Sequence, residues 1–388
     1  MKKGDFSLMP DEDYTWVDFD TLEKFMQDVM VGIGVPEEDA KIVADVLITS
    51  DKRGIDSHGV GRLMMYYARI KRKQQLPTTK ISVIKDNLGT ARWDAGNGMG
   101  HPVSKKAMQS AIDKAKKTGI GMVVVGNSNH FGIAGYYSLM AAAQGCIGIC
   151  GTNARPSIAP TWSVEPMLGT NPLTIALPTD WDFPWCADQA TSITQRGKIE
   201  TYARIGKDAI PGWVIDEHGN AATDAPDILK KMLEFKAALT PLGGMGEDLA
   251  GYKGYNYATF VEIMSACLTQ SNFLQACLGV KDGEFVPYNL GHFFIAIDID
   301  SIIDLSEFKK TTGTMLRQLA AAKKAPGAEH IYIAGEKEWL AGKERAGKGA
   351  PISKATQKQF LQIQQELGLN QYDFGFDVEI DKSDTPGW

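Results

Sequence analysis

The sequence of 388 residues contains little cysteine, no excess of positive charge and no long apolar run. Its five cysteines form no CxxC pair, which argues against a disulfide or zinc framework. A formal net charge of −6 disfavours a nucleic-acid-binding surface. No stretch approaches the roughly 20 apolar residues that span a bilayer, and the N-terminus lacks a signal-peptide core. We therefore expect a cytoplasmic protein with free thiols and with no membrane or nucleic-acid partner.

Signature motifs of several enzyme classes are also missing. There is no HExxH segment, and the six histidines lack the spacing of metal ligands, so no metal site is expected. No GxSxG segment marks a nucleophilic serine. The segment "GMGEDLAGYKG" resembles a phosphate-binding P-loop, but Tyr252 separates Gly251 from Lys253 and no Ser or Thr follows. A nucleoside triphosphate site is therefore not expected.

The glycine-rich segment "DAGNGMGHPV" follows a predicted strand and precedes a predicted helix, as a dinucleotide-binding fingerprint does. Its glycines are Gly96, Gly98 and Gly100, and His101 stands where the fingerprint GxGxxG needs its third glycine. That glycine lets the helix pack closely on the strand. We therefore favour a glycine-rich turn with His101 near a helix start over a Rossmann phosphate loop. A dinucleotide would then bind at a site other than a GxGxxG loop.

Apolar periodicity divides the chain into helical ends and a strand-rich centre. Two helices are predicted within 18–50, and further helices at 57–70, 101–119, 132–144, 251–278, 306–324 and 354–367. Strands are predicted for a pair at 80–95 and for "GMVVVG", "CIGIC", "NPLTIALP", "GWVIDEHGN", "HFFIAIDI" and "AEHIYIAGE". This order indicates an α/β fold. We divide it at 1–78, 79–300 and 301–388, with a polar tail at the end.

His58 and Arg62 lie four residues apart in "IDSHGVGRL". If the helix at 57–70 has Asp56 or Ser57 as its N-cap, both side chains share one face, one turn apart. A guanidinium can hold a substrate carboxylate with two parallel hydrogen bonds, and His58 can add a polar contact or a proton. The alternative is that Arg62 pairs with an acidic side chain and His58 only caps the helix.

Ser128, Asn129 and His130 stand where the apolar run "GMVVV" ends and a helical segment follows. Ser and Asn are common helix caps, and N–H groups at a helix start favour electron-rich ligands. An imidazole, with an intrinsic pKa near ~6.5, can exchange a proton at neutral pH. The junction therefore predicts an acid/base site, with a buried and hydrogen-bonded histidine as the alternative.

Seven segments, in order, resemble the malate/L-lactate dehydrogenase-like family. They are "SDKRGIDSHGVGRL", "GNSNHFGIAGYY", "GTNPLTIALPT", "DQATS", "GWVIDEHGNAATDAP", "LTPLGG" with "GYKGY", and "GHFFIAID". The family includes ureidoglycolate, sulfolactate and diketogulonate oxidoreductases and is distinct from the Rossmann-type lactate and malate dehydrogenases. The resemblance extends from about residue 18 to about residue 350. Each segment alone is weakly specific, but the seven in order are specific.

The resemblance implies an oxidoreductase that moves a hydride between NAD, or alternatively NADP, and a 2-hydroxy or 2-oxo acid of the malate or L-lactate type. The alternative is a ureidoglycolate, sulfolactate, sugar-derived 2-oxo acid or cyclic imino acid oxidoreductase on the same scaffold. It also implies a homodimer and a non-Rossmann, mixed-sheet nucleotide-binding core at 79–300. A helical domain would then form from the segments 1–78 and 301–388.

The resemblance further assigns site residues. His130 would be the acid/base on the substrate oxygen, helped by Asn129 and Ser128. His58 and Arg62 would line the substrate pocket, with Arg62 on the carboxylate and His58 as the rival proton donor. The cofactor would contact Asp188, Gln189, Ala190, Thr191, Lys253, Gly335 and Glu336, and 169–171 would shape the floor nearby. The family often has Pro-Gly-Glu where this chain has Ala334-Gly335-Glu336, so that loop is a departure. A binding protein without activity is disfavoured because His130, Arg62 and Lys253 are all present.

Overall fold

A computed structural model describes residues 14–380 as a mixed α/β fold. The helices are α1 (Phe19–Gly32), α2 (Glu37–Lys52), α3 (Leu63–Lys71), α4 (Gly100–Thr118), α5 (Gly135–Ala143), α6 (Arg196–Arg204), α7 (Ala225–Leu233), α8 (Gly251–Glu262), α9 (Leu305–Ala320), α10 (Glu336–Arg345) and α11 (Lys354–Leu367). The strands are β1 (Tyr14–Val17), β2 (Ser82–Asp86), β3 (Thr90–Asp94), β4 (Ile120–Ser128), β5 (Cys146–Thr152), β6 (Leu173–Leu177), β7 (Trp185–Gln189), β8 (Val214–Asp216), β9 (Ala237–Leu239), β10 (Val280–Lys281), β11 (Glu284–Phe285), β12 (Leu290–Asp298) and β13 (Ala350–Ser353).

A seven-stranded sheet forms the centre of the fold, in the order β2-β3-β4-β12-β5-β6-β7. The pair β3–β4 is parallel and every other neighbouring pair is antiparallel. Helices α4 and α5 cover one face, where Met108 and Tyr137 pack on Val123 and Phe294. On the other face α8 contributes Val261, in the same cluster as Val124 and Phe293. The mixed, largely antiparallel sheet confirms the predicted non-Rossmann fold class.

The helical domain has its own apolar core. Helices α1, α2, α3 and α11 pack together, with Phe25, Leu47, Tyr66 and Phe360 almost wholly buried. Strand β1, at the start of the described chain, pairs antiparallel with β13, the strand that precedes α11. The N- and C-terminal segments therefore build one helical region, as predicted. The boundaries at 78 and 300 stay a prediction.

The C-terminal part has two different neighbours. After α11, an extended segment stacks Tyr372 on Phe374 and Phe374 on Phe376, with ring centroids 5.9 and 5.0 Å apart. The Phe374 ring lies edge-on to Phe25 of α1 at 5.1 Å. Helix α9 instead lies beside the loop between β6 and β7, where its Arg317 forms a two-pronged ion pair with the carboxylate at 180. The tail is thus packed on the helical core as far as Phe376.

A smaller lobe between β7 and α8 was missed by the periodicity. It contains α6, α7 and the antiparallel pair of β8 and β9, around buried Ile199, Val214, Ile228 and Leu239. The predicted strand in "GWVIDEHGN" is confirmed as β8, but the two helices were not predicted. Helix α6 buries only Ile199 and Tyr202 of its nine residues, too few to create a clear helical period.

Two predicted elements differ from the structure. The strand predicted for "AEHIYIAGE" is wrong, because residues 328–334 form no strand. There the Ile333 N–H donates to the Glu336 carboxylate instead of to a neighbouring strand, and the Ile333 side chain packs with Phe183 and Leu316. The helix predicted over 251–278 is interrupted: α8 continues into a π-helical turn, Ile263–Cys267, and then breaks before a short 3₁₀ turn, Leu274–Leu278.

Within residues 14–380, no helix is both long enough and apolar enough to cross a bilayer. The same residues contain no cluster of three or more His, Cys, Asp or Glu side chains that could hold a metal ion. The five cysteines are free thiols. The cytoplasmic location stays a prediction.

Candidate active site

The segment carrying His58 and Arg62 differs from the single helix that was predicted. It forms two short 3₁₀ turns, Asp56–His58 and Val60–Arg62, and α3 begins only at Leu63. The cause is Asp51 of α2, which is 2% exposed and accepts the Val60 N–H at 2.7 Å. A Cβ at Gly59 would collide with this carboxylate. The buried Asp51 therefore bends the segment, and His58 and Arg62 do not stand one α-helical turn apart.

Arg62 has the environment of an anion-binding group. Its Nε donates to the Ser57 carbonyl at 2.5 Å, and among residues 14–380 its guanidinium forms no ion pair with a carboxylate. Burial lowers the pKa of Arg62, while the nearby charge of Glu200 raises it. A half-buried guanidinium without a carboxylate partner favours binding of an anion. Within the described residues, Arg62 therefore does not form the ion pair with an acidic side chain that was the alternative.

Strand β4 delivers the second cluster and ends at Ser128. The Ser128 hydroxyl lies 2.8 Å from Nε2 of His292 on the neighbouring strand β12. Asn129 is fully buried, and its Nδ2 donates to the carbonyls of Asn97 and Gly98 at 3.2 and 2.9 Å. Both side chains therefore fix the end of the strand and the glycine-rich turn. His130 follows in a loop, because α5 begins only at Gly135.

His130 contacts His58 and Tyr66. Its ring stacks on that of His58, with centroids 5.6 Å apart and an angle of 20°. Its Nδ1 lies 2.6 Å from the Tyr66 hydroxyl and accepts the Gly132 N–H at 3.3 Å. The nitrogen Nε2 is therefore the one left for a ligand. Residues 58 and 130, which are far apart in sequence, therefore lie in contact.

Burial controls the charge state of both imidazoles. Burial, and then the charge of Arg62, lower the pKa of His58 from its usual value to about 3. Burial also holds the pKa of His130 well below its usual range, with further lowering by His58, Arg69 and Arg62. Both rings are thus neutral at neutral pH before a ligand binds. An anion bound to Arg62 would offset one of the charges that oppose protonation of His130.

The residues proposed to contact the cofactor at 188–191 occupy the end of β7 and the turn after it. The Asp188 carboxylate accepts the Gly135 N–H at 2.8 Å and the Thr174 hydroxyl at 2.9 Å, so it holds the start of α5. Thr191 is buried and donates to the carbonyls at 170 and 171. Gln189 is exposed and Ala190 is half-buried. Of these four, Gln189 has the most accessible side chain.

The other residues proposed for the cofactor lie at two helix starts. Lys253 is exposed in the first turn of α8 and forms no ion pair with a carboxylate within residues 14–380. Gly335 has a φ of 91° and packs on the backbone at 184, so its loop lies beside β7. The Glu336 carboxylate is occupied by Nε2 of His330 at 2.8 Å and by the Ile333 N–H at 2.9 Å. Glu336 therefore shapes its loop with both oxygens engaged.

Tyr66 is the contact residue that the sequence analysis missed. It is fully buried in α3, four residues after Arg62, and its hydroxyl lies between His130 and His101. The spacing of four from Arg62 could have indicated it. The apolar surroundings "LMMYYARI" instead made it look like a core residue.

Comparison with known proteins places the chain among dehydrogenases. Residues 17–361 match the family model described as malate/L-lactate dehydrogenase. A malate dehydrogenase of Pyrococcus horikoshii is 43% identical over 92% of this chain and 97% of its own length. An L-sulfolactate dehydrogenase of Methanocaldococcus jannaschii is 37% identical over 91% of this chain and 97% of its own. The crystal structure of malate dehydrogenase from Entamoeba histolytica superposes with a TM-score of 0.88 at 45% identity, covering 92% of this chain and 98% of that one.

The fold, the paired histidines and these similarities together define an enzyme of the dehydrogenase class. More narrowly, the chain belongs to the malate/L-lactate dehydrogenase family.

Proposed function

We propose that this enzyme transfers a hydride between a nicotinamide cofactor and a 2-hydroxy or 2-oxo acid, most closely of the malate type. The observation that carries the proposal is the position of His130, which contacts His58 and Tyr66 and whose Nε2 has no hydrogen-bond partner within residues 14–380. Its ring is close enough to Arg62 for that charge to lower its pKa. Arg62 can hold the substrate carboxylate while His130 exchanges a proton with the oxygen on the adjacent substrate carbon.

The chemistry follows from these two groups. In reduction, Arg62 binds the carboxylate of the 2-oxo acid and so offsets its own positive charge beside His130. The pKa of His130 then rises, and the imidazolium gives its Nε2 proton to the substrate oxygen as the C=O bond becomes CH–OH. When bound, the nicotinamide cofactor would supply the hydride to the carbonyl carbon of the 2-oxo acid. In oxidation, neutral His130 takes the hydroxyl proton on Nε2.

The described residues suit a cofactor that carries phosphates. The N–H groups at the start of α8 attract anions, and the exposed Lys253 adds a positive charge in the same turn. We assign Asp188, Gln189, Ala190, Thr191, Gly335 and Glu336 to the same cofactor region, with Asp188 and Glu336 shaping it from behind. NAD is the proposed cofactor and NADP the alternative, since relatives are named for each.

Substrates other than malate are alternatives to this proposal. Relatives include enzymes named for sulfolactate and ureidoglycolate, and a structure named for a cyclic imino acid shares the fold. Sugar-derived 2-oxo acids are a further alternative. In each case Arg62 and His130 keep their roles and the remainder of the pocket selects the substrate.

We also propose a homodimer. Tyr257, Phe260 and Ile263, on α8 and the turn after it, are each about half exposed, and α8 covers the second face of the sheet. A second copy of the chain is the proposed partner of this apolar surface. Light scattering of Phe260→Lys should show monomers. Ile302→Lys, at an exposed apolar residue elsewhere, should leave the mass unchanged. A dimer in both variants would place the interface on another surface.

A spectrophotometric screen tests the function directly. Oxaloacetate, pyruvate, sulfopyruvate, a sugar-derived 2-oxo acid and a cyclic imino acid are each mixed with NADH and with NADPH, and absorbance is followed at the nicotinamide band. We expect oxaloacetate with NADH to give the highest kcat/KM. Turnover of another acid in the set would select an alternative. No turnover with any acid and either cofactor would refute the proposed function.

A further inference from the structure

A second arginine shares the face of α3 that carries Arg62. Arg62 directly precedes this helix, and Arg69 follows seven residues later, with Tyr66 between them. Side chains spaced by four and by seven residues lie on one face of a helix. The Tyr66 hydroxyl is 2.6 Å from Nδ1 of His130, so this face is turned toward the imidazole. Both guanidinium groups therefore belong to the face of α3 that meets His130.

The charge of Arg69 acts on the same groups as that of Arg62. After burial and the ring of His58, the charges of Arg69 and Arg62 lower the pKa of His130. Burial lowers the pKa of Arg62 most, and the charge of Arg69 lowers it further. Two positive charges thus act on one imidazole and on each other. Binding of two anionic groups would offset both charges, whereas one anionic group would offset only one.

The guanidinium of Arg69 has donors to offer to an anion. Arg69 is half-buried, and within residues 14–380 it forms no ion pair with a carboxylate. The carboxylate of Glu200, whose charge acts on Arg62, is already paired with Arg196 at 2.9 Å. The Arg69 guanidinium instead lies over the ring of Tyr288, 4.4 Å from its centroid. A guanidinium over an aromatic face keeps N–H groups available to an anion at its edge.

The ring of Tyr288 is held in place by buried neighbours. Tyr288 is 8% exposed, and the buried Gln74 donates from Nε2 to its hydroxyl at 3.4 Å and to the Gly279 carbonyl at 2.9 Å. A Cβ on Gly279 would collide with the Tyr288 ring, so the backbone packs directly on that ring. The fixed aromatic face supports Arg69 and limits the positions that its guanidinium can take.

Resting on the proposed function, we propose that Arg69 is a specificity-determining residue that binds a second anionic group of the substrate. Arg62 binds the carboxylate next to the reacting carbon, and Arg69 binds a carboxylate or sulfonate at the far end of the acid. The enzyme therefore prefers 2-oxo acids with two anionic groups, such as oxaloacetate or sulfopyruvate, over a monocarboxylate such as pyruvate. The proton exchange at His130 is the same for both kinds of substrate.

Steady-state kinetics of Arg69→Gln separates the two anionic groups. With oxaloacetate and with sulfopyruvate, kcat/KM should fall about ten- to hundredfold, mostly through a higher KM, because an amide cannot neutralise the second anion. With pyruvate, kcat/KM should change little. The control Arg72→Gln removes a charge three residues later, where the guanidinium lies over Phe285 at 4.9 Å, and should leave all three values unchanged. An equal fall with pyruvate and oxaloacetate, or no fall with any acid, would overturn the role of Arg69.

Isothermal titration calorimetry supplies a second measurement without turnover. L-malate or L-lactate is added to the enzyme together with NADH, a combination in which no hydride transfer can occur. The wild type should bind L-malate more tightly than L-lactate. Arg69→Gln should remove most of that difference, and Arg69→Lys, which keeps the charge, should retain part of it. Equal binding of the two acids by the wild type, or an undiminished difference in Arg69→Gln, would overturn the proposal. Absence of turnover with every acid would instead refute the proposed function, while the binding of L-malate would still decide the role of Arg69.

Discussion

The buried imidazoles make the stability of this enzyme depend on pH. His292 is fully buried between β4 and β5, with Nδ1 2.7 Å from the Thr152 hydroxyl and its ring stacked at 4.7 Å on Phe131. Burial lowers its pKa to about 3. In the unfolded chain the pKa is about 6.5. Below pH 6.5 the unfolded state therefore binds a proton that the native state does not.

The sign and size of the effect follow from linkage. The stability is fully present above pH 6.5 and is lost as the pH falls toward 3, by about 1.4 kcal/mol per pH unit for each such histidine. At pH 5 this is about 2 kcal/mol for His292, a large part of a typical stability of about 5–15 kcal/mol. Buried carboxyls such as Asp51, with a raised pKa, act in the opposite direction. The difference between variant and wild type is therefore the quantity to measure.

Urea denaturation at pH 7, 6 and 5, followed by tryptophan fluorescence, measures this difference. His292→Gln should be less stable at pH 7 because packing is lost, but its further loss between pH 7 and pH 5 should be about 2 kcal/mol smaller than in the wild type. His218→Gln, at an exposed histidine, should follow the wild type. An equal pH dependence in His292→Gln and the wild type would refute the reasoning.

Three further predictions follow from the described contacts. Arg62→Lys should lower kcat/KM for the 2-oxo acid about tenfold or more, because an ammonium lacks the planar fork of a guanidinium. The NADH affinity, measured by fluorescence quenching, should be unchanged. An unchanged kcat/KM would place the substrate carboxylate at another residue. Asp51→Asn should keep an acceptor for the Val60 N–H and raise the urea midpoint at pH 8. Burial, and then the charge of a neighbouring carboxylate, raise the pKa of Asp51, so its ionised form is costly in the folded protein. A lower midpoint would contradict this. Phe374→Ala should lower the free energy of unfolding by about 1–3 kcal/mol, given partial burial, whereas exposed Asp377→Ala should not.

Local patterns predicted the centre of the fold well. Strands β4, β5, β6 and β12 are short apolar runs, and α4 has a clear apolar stripe, so period and length sufficed. The helices α6 and α7, of nine residues each, were not predicted. The run "AEHIYIAGE" has strand-like residues, but the side chain of Glu336 takes the N–H group that a strand would have paired.

The residue types of the candidate site could be predicted from the sequence, but the hydrogen bonds and contacts between them could not. His130 stood out because an apolar strand ends at a polar junction, and His58 and Arg62 because of their spacing. The contacts of the Tyr66 hydroxyl with His130 and His101 join α3, α4 and the loop after β4. No local periodicity links residues so far apart in sequence. The same is true of Asp51, whose contact with Val60 replaces the expected helix by two 3₁₀ turns.

The central claim is that His130 exchanges the proton with the substrate oxygen. Rapid mixing of enzyme and NADH with the preferred 2-oxo acid measures the single-turnover rate in the wild type, His130→Gln and His58→Gln. The account predicts that His130→Gln is slowed at least about 100-fold, the usual contribution of a general acid, with NADH affinity unchanged and with the catalytic ionisation retained in His58→Gln. A wild-type rate in His130→Gln, or loss of that ionisation only in His58→Gln, would contradict it.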